Sequence, residues 1–146
     1  IGLTSELACS KWTPIILRDI GLFKRRTFHQ LLKYKLDGIS SGSLATKLKR
    51  LEHVGLITFA PANEHKQKKL YYLTESGIDF MPVLFAMAGW SAKWHQPSAR
   101  FVEALRPYIA EAEPAMQVLL SKLRQTNVQR KKLEPMSWMR RNSGSV

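Results

Sequence analysis

The chain has 146 residues and a formal net charge of +12 at pH 7, and this length allows one compact core with a helical appendage. The apolar content is ordinary for a folded protein, which excludes extensive disorder. No run of about 18 uninterrupted apolar residues occurs, so we expect no membrane span. The first residues do not have the pattern of a signal peptide. A single cysteine, Cys9, excludes an intramolecular disulfide framework and is typical of the reducing cytoplasm.

The positive charge is concentrated in two segments. Residues 24–69 carry eleven Lys and Arg against three acids, and residues 114–146 carry seven against one. Residues 70–113, between them, are slightly acidic. Clustered cations neutralise phosphates. This arrangement therefore favours binding to a nucleic acid over a basic surface that has no specific partner.

The sequence contains no catalytic pattern. Its four histidines show no metal-ligand spacing with one another or with Cys9. No glycine-rich phosphate loop, nucleophile elbow or carboxylate pair occurs. We therefore expect a protein that is not an enzyme and has no metal or cofactor.

The first predicted helical segment spans about residues 5–22. Pro14 predicts a break near residues 12–13, with the proline in the first turn of a second helix. A short basic connector at residues 24–28 follows and can form a single β-bridge strand. The next helix is predicted at residues 28–36.

The third helix is the most informative segment of the chain. A turn is predicted at residues 37–38, and Ser40 is a suitable N-cap. Leu44, Leu48 and Leu51 fall at i, i+4 and i+7, which predicts one buried face. The opposite face is small, polar or basic and carries no acid. Insertion into the major groove of DNA requires such a face.

A hairpin is predicted directly after this helix. Gly55 ends the helix, and strands are predicted at residues 56–60 and 69–73, joined by a cationic loop at residues 61–68. This order of helix, glycine, strand and hairpin is typical of a winged helix-turn-helix.

Three amphipathic helices are predicted after the wing, at residues 75–94, 98–112 and 114–133. The expected fold is therefore mainly α with a small β-hairpin, a winged helix-turn-helix with C-terminal dimerisation helices. The predicted domains are a DNA-binding winged helix-turn-helix with its dimerisation helix at 1–95, a helical C-terminal extension at 96–133, and a flexible basic tail at 134–146.

Several separated motifs follow one another in order along the chain. They are Lys11-Trp12-Thr13 with Ile16-Leu17-Arg18-Asp19, Arg25-Arg26 with Phe28 and Leu31, Ile39-Ser40, Gly55-Leu56-Ile57, Leu73-Thr74-Glu75 with Gly77, and Pro82-Val83-Leu84 with Trp90. Over residues 7–95 they resemble the HxlR-type winged-helix regulators of bacteria, distant relatives of the MarR group. The resemblance implies a homodimer held by the first and post-wing helices, with paired recognition helices that read a pseudo-palindromic operator.

The chain departs from this family in three places. Cys9 stands where the family usually has glycine, and the segment with the sensing cysteine of many members is not part of this sequence, so thiol sensing is not implied. Gly42 stands where members often have a basic residue, and Lys66-Gln67 replace the usual wing prolines. Because of both changes, the typical operator sequence of the family is not implied for this chain.

DNA contacts are predicted for the connector, the third helix and the wing. Lys49 and Arg50 are expected to contact phosphate, and direct base contacts are expected to be sparse, so that DNA shape and water contribute to specificity. The alternatives are solvated polar surfaces and, for Arg25 and Arg26, structural pairing with acids such as Asp19. The predicted DNA-binding residues are Arg25, Arg26, Thr27, Ser41, Gly42, Ser43, Thr46, Lys47, Lys49, Arg50, His65, Lys66, Lys68 and Lys69. The N-terminal amides around Thr27 and Phe28 are expected to meet a phosphate as well.

A dimer interface is predicted on the first and post-wing helices, with intradomain core as the alternative. Trp12, Trp90 and Trp94 could instead line a pocket for a small-molecule effector, although packing is the commoner use of such residues. The predicted interface residues are Leu7, Trp12, Phe80, Val83, Leu84, Met87, Trp90 and Trp94.

The predicted function is a sequence-specific double-stranded DNA-binding transcriptional regulator. We expect a bacterial, cytoplasmic and nucleoid-associated repressor that acts as a homodimer on a pseudo-palindromic operator. The alternative is a winged-helix module for protein–protein interaction or for non-specific nucleic-acid binding. The basic C-terminal residues either add non-specific DNA affinity or bind a partner; they are Arg124, Arg130, Lys131, Lys132, Arg140 and Arg141.

Overall fold

The computed structural model describes residues 2–8, 10–34, 38–62, 65–95, 97–109 and 112–130. The chain divides into two compact units, residues 1–78 and residues 79–146. The domain boundary expected from the sequence at residue 95 stays a prediction. Cys9 and the tail predicted at 134–146 lie outside the described residues.

The first unit begins with two helices, α1 (Gly2–Ala8) and α2 (Trp12–Gly21). Pro14 is the third residue of α2, where the backbone N–H has no intrahelical partner to lose. The predicted division of this segment into two helices is therefore confirmed. Ile16, Leu17 and Ile20 of α2 are buried and form part of the core.

The helix-turn-helix consists of α3 (Phe28–Lys33) and α4 (Ser41–His53). Between them Gly38 has φ +73°, a left-handed conformation that glycine adopts without steric cost. Leu31 of α3 and Ile39 are buried in the same unit. Helix α4 packs mainly against α2 and the first strand of the hairpin.

The hairpin pairs β1 (Ile57–Ala62) with β2 (His65–Leu73) in antiparallel register. Ile57 lies opposite Leu73, and the register shifts between Pro61 and Ala62. The strands extend into residues 61–68, for which the sequence predicts a loop, because the ladder continues to the pair of Ala62 and His65. Pro61 is compatible with a strand here, since both strands of a two-stranded sheet are edges and a missing N–H can face outward.

The basic connector at residues 24–28 is not a strand, contrary to the sequence-based expectation. It nevertheless makes one strand-like contact, since the Tyr71 amide donates a hydrogen bond to the Arg26 carbonyl oxygen at 2.7 Å. Lys24, with φ +54°, interrupts the extended backbone that a longer ladder would require.

The last helix that begins in this unit is α5 (Glu75–Asp79). Thr74 caps it, because its hydroxyl oxygen accepts the Gly77 amide at 3.1 Å. The same hydroxyl donates to the carbonyl oxygen of Gly55, and the Thr74 amide donates to the carbonyl of Leu56 at 3.2 Å. These bonds attach α5 to the turn that follows α4.

The second unit contains α6 (Met81–Trp94), α7 (Ala99–Ile109) and α8 (Ala112–Leu123), followed by a π-helical turn (Arg124–Val128). The single helix predicted at residues 75–94 is broken at Phe80, because Pro82 has no N–H for the i→i−4 bond. Helix α6 contacts α7, and α7 contacts α8. The rings of Phe85 and Tyr108 stack at 4.8 Å between centroids.

The helix predicted at residues 114–133 ends earlier than expected, at Leu123, and gives way to the π-helical turn. Two side chains donate to carbonyl oxygens where the helix type changes. The Thr126 hydroxyl donates to the Lys122 carbonyl oxygen at 3.0 Å, and the Asn127 amide donates to the Leu123 carbonyl at 2.9 Å. These are the oxygens that an α-helix would pair with main-chain N–H groups. None of the described helices combines the length and hydropathy of a membrane-spanning segment.

Candidate nucleic-acid interface

The start of α4 is fixed by Ser40. Its hydroxyl oxygen accepts the amide of Ser43 at 3.1 Å, and its backbone is extended, as an N-cap requires. The Ser40 hydroxyl also donates to the hydroxyl oxygen of Ser43 at 2.9 Å. The predicted N-cap is therefore confirmed.

The end of α4 is a Schellman motif. The Leu56 amide donates to the Leu51 carbonyl oxygen at 3.0 Å, and the Gly55 amide donates to the Glu52 carbonyl at 3.0 Å. Gly55 has φ +75°, the left-handed conformation that this motif needs. Leu51 and Leu56 are both buried, which adds the apolar contact that usually accompanies the motif.

The two faces of α4 have the orientation predicted from the sequence. Leu44, Leu48 and Leu51 are buried, with Leu48 only 2% exposed. Lys47 is half-buried at the edge. The exposed face carries no acidic residue and consists of Ser41, Gly42, Ser43, Thr46, Lys49, Arg50 and His53. This face therefore has small side chains at the start of the helix and positive charges towards its end.

One of the small side chains on this face is turned back onto the helix. The Thr46 hydroxyl donates to the carbonyl oxygen of Gly42 at 3.1 Å, one turn earlier. A β-carbon built on Gly42 would meet no atom within 4 Å, so the space beside this hydrogen bond is open.

Arg50 has an acidic neighbour on α1. Its guanidinium lies 4.0 Å from a carboxylate oxygen of Glu6, and both side chains are more than half exposed. Exposed pairs of this kind contribute little to stability. Glu6 therefore acts mainly as a negative charge close to a predicted phosphate contact.

Arg25 is held by structural partners. Its guanidinium donates to Asp19 at 2.8 Å and stacks on the rings of Phe23 and Tyr34. Asp19 is 3% exposed and also receives two hydrogen bonds from Arg18. Of the two alternatives kept for Arg25, this geometry favours pairing with Asp19, and a phosphate contact stays a prediction.

Arg26 lies against the stem of the wing. Its guanidinium stacks over the ring of Tyr72 at 4.4 Å and donates to the carbonyl oxygen of Tyr71 at 3.3 Å. Burial lowers the pKa of Arg26, and Tyr72 opposes this effect. The stacking on Tyr72 and the bond to Tyr71 link Arg26 and the connector to β2.

Tyr71 is itself perturbed: burial raises its pKa, with a smaller contribution from the charge of Glu52.

Thr27 is the N-cap of α3 and forms a capping box with Gln30. The Thr27 hydroxyl oxygen accepts the Gln30 amide, and the Gln30 side chain accepts the amides of Arg26 and Thr27 at 3.0 and 3.1 Å. A phosphate was predicted at the N-terminal amides around Thr27 and Phe28. Gln30 already satisfies the Thr27 amide, and a phosphate contact at Phe28 stays a prediction.

The stem of the wing carries exposed cations. Lys68 and Lys69 are exposed, and the Lys69 ammonium lies 3.7 Å from the centroid of the Phe59 ring. Lys69 is opposite Pro61 in the ladder. The side chains of His65 and Lys66, which were also predicted to contact DNA, lie outside the described residues.

The predicted dimer residues fall into two groups. On the first unit, Leu7 and Trp12 are half-buried. On the second unit, Phe80 and Leu84 are half-buried, whereas an exposed stripe at i, i+4, i+7 and i+11 of α6 consists of Val83, Met87, Trp90 and Trp94. Trp90 and Trp94 are 60% and 62% exposed. The interface and the alternative effector pocket both stay predictions.

Sequence reasoning missed several residues that position this surface. The capping box could have been found from Thr27 and Gln30, because this spacing is a known helix-start signal. The ring of Tyr72 under Arg26 and the ring of Phe59 under Lys69 could not, since cation–π partners depend on tertiary position.

Comparisons with known proteins agree with this geometry. Residues 7–99 match the family described as HxlR-like helix-turn-helix. An uncharacterized HTH-type transcriptional regulator of Mycobacterium tuberculosis (strain ATCC 25618 / H37Rv) is 31% identical over 94 residues, which are 64% of this chain and 58% of that protein. MalR of Fusobacterium mortiferum, described as a candidate regulatory protein, is 38% identical over 90 residues, which are 62% of this chain and 84% of MalR.

A solved structure gives the same result for the fold. The crystal structure of PA1607, described as a candidate transcription factor, superposes with a TM-score of 0.54 at 26% sequence identity. The match covers 62% of this chain and 61% of that chain. The chain thus spans less than two thirds of the length of PA1607 and of the mycobacterial relative.

Proposed function

This chain belongs to the HxlR-like helix-turn-helix family, and from that premise we propose that it is a sequence-specific double-stranded DNA-binding transcriptional regulator. The observation that carries the proposal is the orientation of α4. Its leucines are buried, and its exposed face is slim, cationic and free of acids. A helix anchored in this way can enter the major groove without burying a like charge against phosphate.

The residues around α4 support this role. Lys49 and Arg50 supply exposed cations for phosphates flanking the groove, and Lys68 and Lys69 supply them on the wing. Arg25 and Arg26 act as positioning residues, because their aromatic, carboxylate and carbonyl partners tie the connector to the rest of the unit.

We also propose that the regulator acts as a homodimer. The exposed stripe on α6 presents two tryptophans on the face opposite the buried Phe85. A second copy of the same stripe would bury them in a two-fold interface. Two recognition helices would then read a pseudo-palindromic operator with half-sites about one helical turn apart. A pocket for a small-molecule effector beside Trp12, Trp90 and Trp94 is the alternative role of these tryptophans.

Repression in a bacterial cytoplasm is proposed as its mode of action. A dimer that covers an operator excludes other proteins from the same DNA, so repression requires no further surface. A reporter gene placed behind the operator should be less active when this protein is present. Higher reporter activity would instead indicate an activator.

The experiment that tests DNA binding starts from a random duplex library. Duplexes that the full chain retains are enriched, and their affinity is compared with that of random duplex DNA across a salt series. We expect affinity to fall steeply with salt while a sequence-dependent margin of about 1,000-fold or more remains. Salt-sensitive binding with no sequence margin would instead support the non-specific alternative. No enrichment of any duplex would support a protein–protein module.

A further inference from the structure

We infer that α4 reads a thymine methyl group through a shallow apolar notch formed by Gly42 and Thr46. The inference rests on the proposed DNA-binding function and deepens it, because it names the feature of the base that the helix recognises.

The notch is formed because Gly42 has no side chain and the Thr46 hydroxyl is bonded back to the helix. Gly42 and Thr46 are four residues apart and therefore neighbours on the exposed face of α4. A β-carbon on Gly42 would meet nothing within 4 Å, and Gly42 lies in a regular helix. Nothing in the described part of the chain therefore requires glycine at this position, and its lack of a side chain leaves open space for a ligand.

The hydrogen bond of Thr46 decides which bases fit. Its hydroxyl proton is directed to the Gly42 carbonyl oxygen at 3.1 Å. The exposed side chain then offers its γ-methyl group and oxygen lone pairs, but no donor. Guanine presents two acceptors in the major groove and requires donors, whereas thymine presents a methyl group that threonine methyl groups contact. The notch is therefore complementary to thymine and not to guanine.

Ser43 is one residue away from Gly42, and its hydroxyl oxygen accepts from Ser40, which leaves the Ser43 proton to donate to a base edge beside the notch. Lys49 and Arg50 lie about one turn further along the helix, where they are suited to phosphate.

The test uses the duplex enriched from the random library. Each thymine is replaced in turn by deoxyuridine, which removes the methyl group and preserves base pairing. At one thymine in each half-site we expect affinity to fall about fourfold, and about fifteenfold when both are replaced, as expected for the loss of one buried methyl group per site. Thr46→Ser, which lacks the methyl group, should abolish this difference, whereas Thr46→Val, which keeps it, should retain it.

Gly42→Ala provides a second test because it fills the notch. It should weaken binding to the thymine duplex more than to the uracil duplex. Thermal melting of all three variants verifies that they fold.

The outcomes separate the two proposals. Equal affinity for the thymine and uracil duplexes at every position would overturn the inference while sequence-specific binding stands. The same holds if Thr46→Ser still prefers the thymine duplex to the uracil duplex as strongly as the unchanged protein does. Failure to enrich any duplex would overturn both.

Discussion

Gly77 of α5 packs so closely against Leu56 that a β-carbon on the glycine would overlap the Leu56 carbonyl oxygen. That oxygen accepts the Thr74 amide at 3.2 Å, immediately after the Schellman motif that ends α4. The absence of one side chain thus allows α5 to pack against the end of α4.

Gly77→Ala should therefore destabilise the protein strongly. The added methyl group meets backbone and not the end of a flexible side chain, so we expect a loss of roughly 3 kcal/mol or more in the free energy of unfolding. Thermal and denaturant unfolding measure it. Gly42→Ala is the matched control, because its methyl group meets nothing within 4 Å and should leave stability unchanged or slightly higher. Equal stability of the two variants would contradict the close packing.

Asp19→Asn should destabilise the first unit. Asp19 is buried and accepts hydrogen bonds from Arg18 and Arg25, so loss of its charge leaves two guanidinium groups without their carboxylate. We expect a loss of about 2–3 kcal/mol by urea unfolding. The control is Asp79→Asn, whose pair with Arg124 at 2.7 Å is exposed and should contribute less than about 1 kcal/mol. Similar losses in both variants would mean that burial does not decide the strength of these pairs.

Lys49→Gln should weaken binding to all duplexes alike. If Lys49 neutralises one phosphate, the slope of log affinity against log salt should decrease by about 0.9. Fluorescence anisotropy over a salt series measures this slope. Lys122→Gln, which removes the same charge from an exposed position on α8, should leave it unchanged. A change of slope in the control but not in Lys49→Gln would place the DNA on another surface.

Glu6→Gln should strengthen DNA binding, because it removes a negative charge 4.0 Å from Arg50. We expect roughly twofold tighter binding at ~50 mM salt and a smaller difference near ~0.5 M, where exposed charges are screened. The control is Glu103→Gln, since Glu103 is equally exposed and pairs with Arg106 at 3.1 Å on α7. Weaker binding by Glu6→Gln would indicate that Glu6 positions Arg50 and does not compete for it.

Trp90→Ala and Trp94→Ala should each weaken the proposed dimer. Large aromatic residues at the centre of an interface commonly contribute 2 kcal/mol or more, so the dimer dissociation constant should rise about thirtyfold or more. Light scattering over a concentration series measures the mass. Val118→Ala on α8, at another exposed apolar position, is the control. A wild-type chain that stays monomeric at micromolar concentration would contradict the dimer.

The spacing of apolar residues was sufficient to predict most of the fold. Leu44, Leu48 and Leu51 recur with the period of a helix, and only one orientation buries all three. Ser40 and Gly55 marked the ends of that helix because capping depends on local backbone geometry. The same reasoning failed at Phe80, where a proline two residues later interrupts a continuous apolar stripe.

Most partners of the charged residues could not be predicted in this way. Pairing of Arg25 with Asp19 was one of two alternatives that the sequence left open, and the fold brings the two side chains together. The aromatic rings beside Arg26 and Lys69 could not be inferred from the sequence. Sequence determined which faces are apolar and where helices begin and end, because those properties depend on neighbours within one or two turns. Only the tertiary structure decided which cations remain available to a ligand, because pairing depends on distances between residues far apart in the chain.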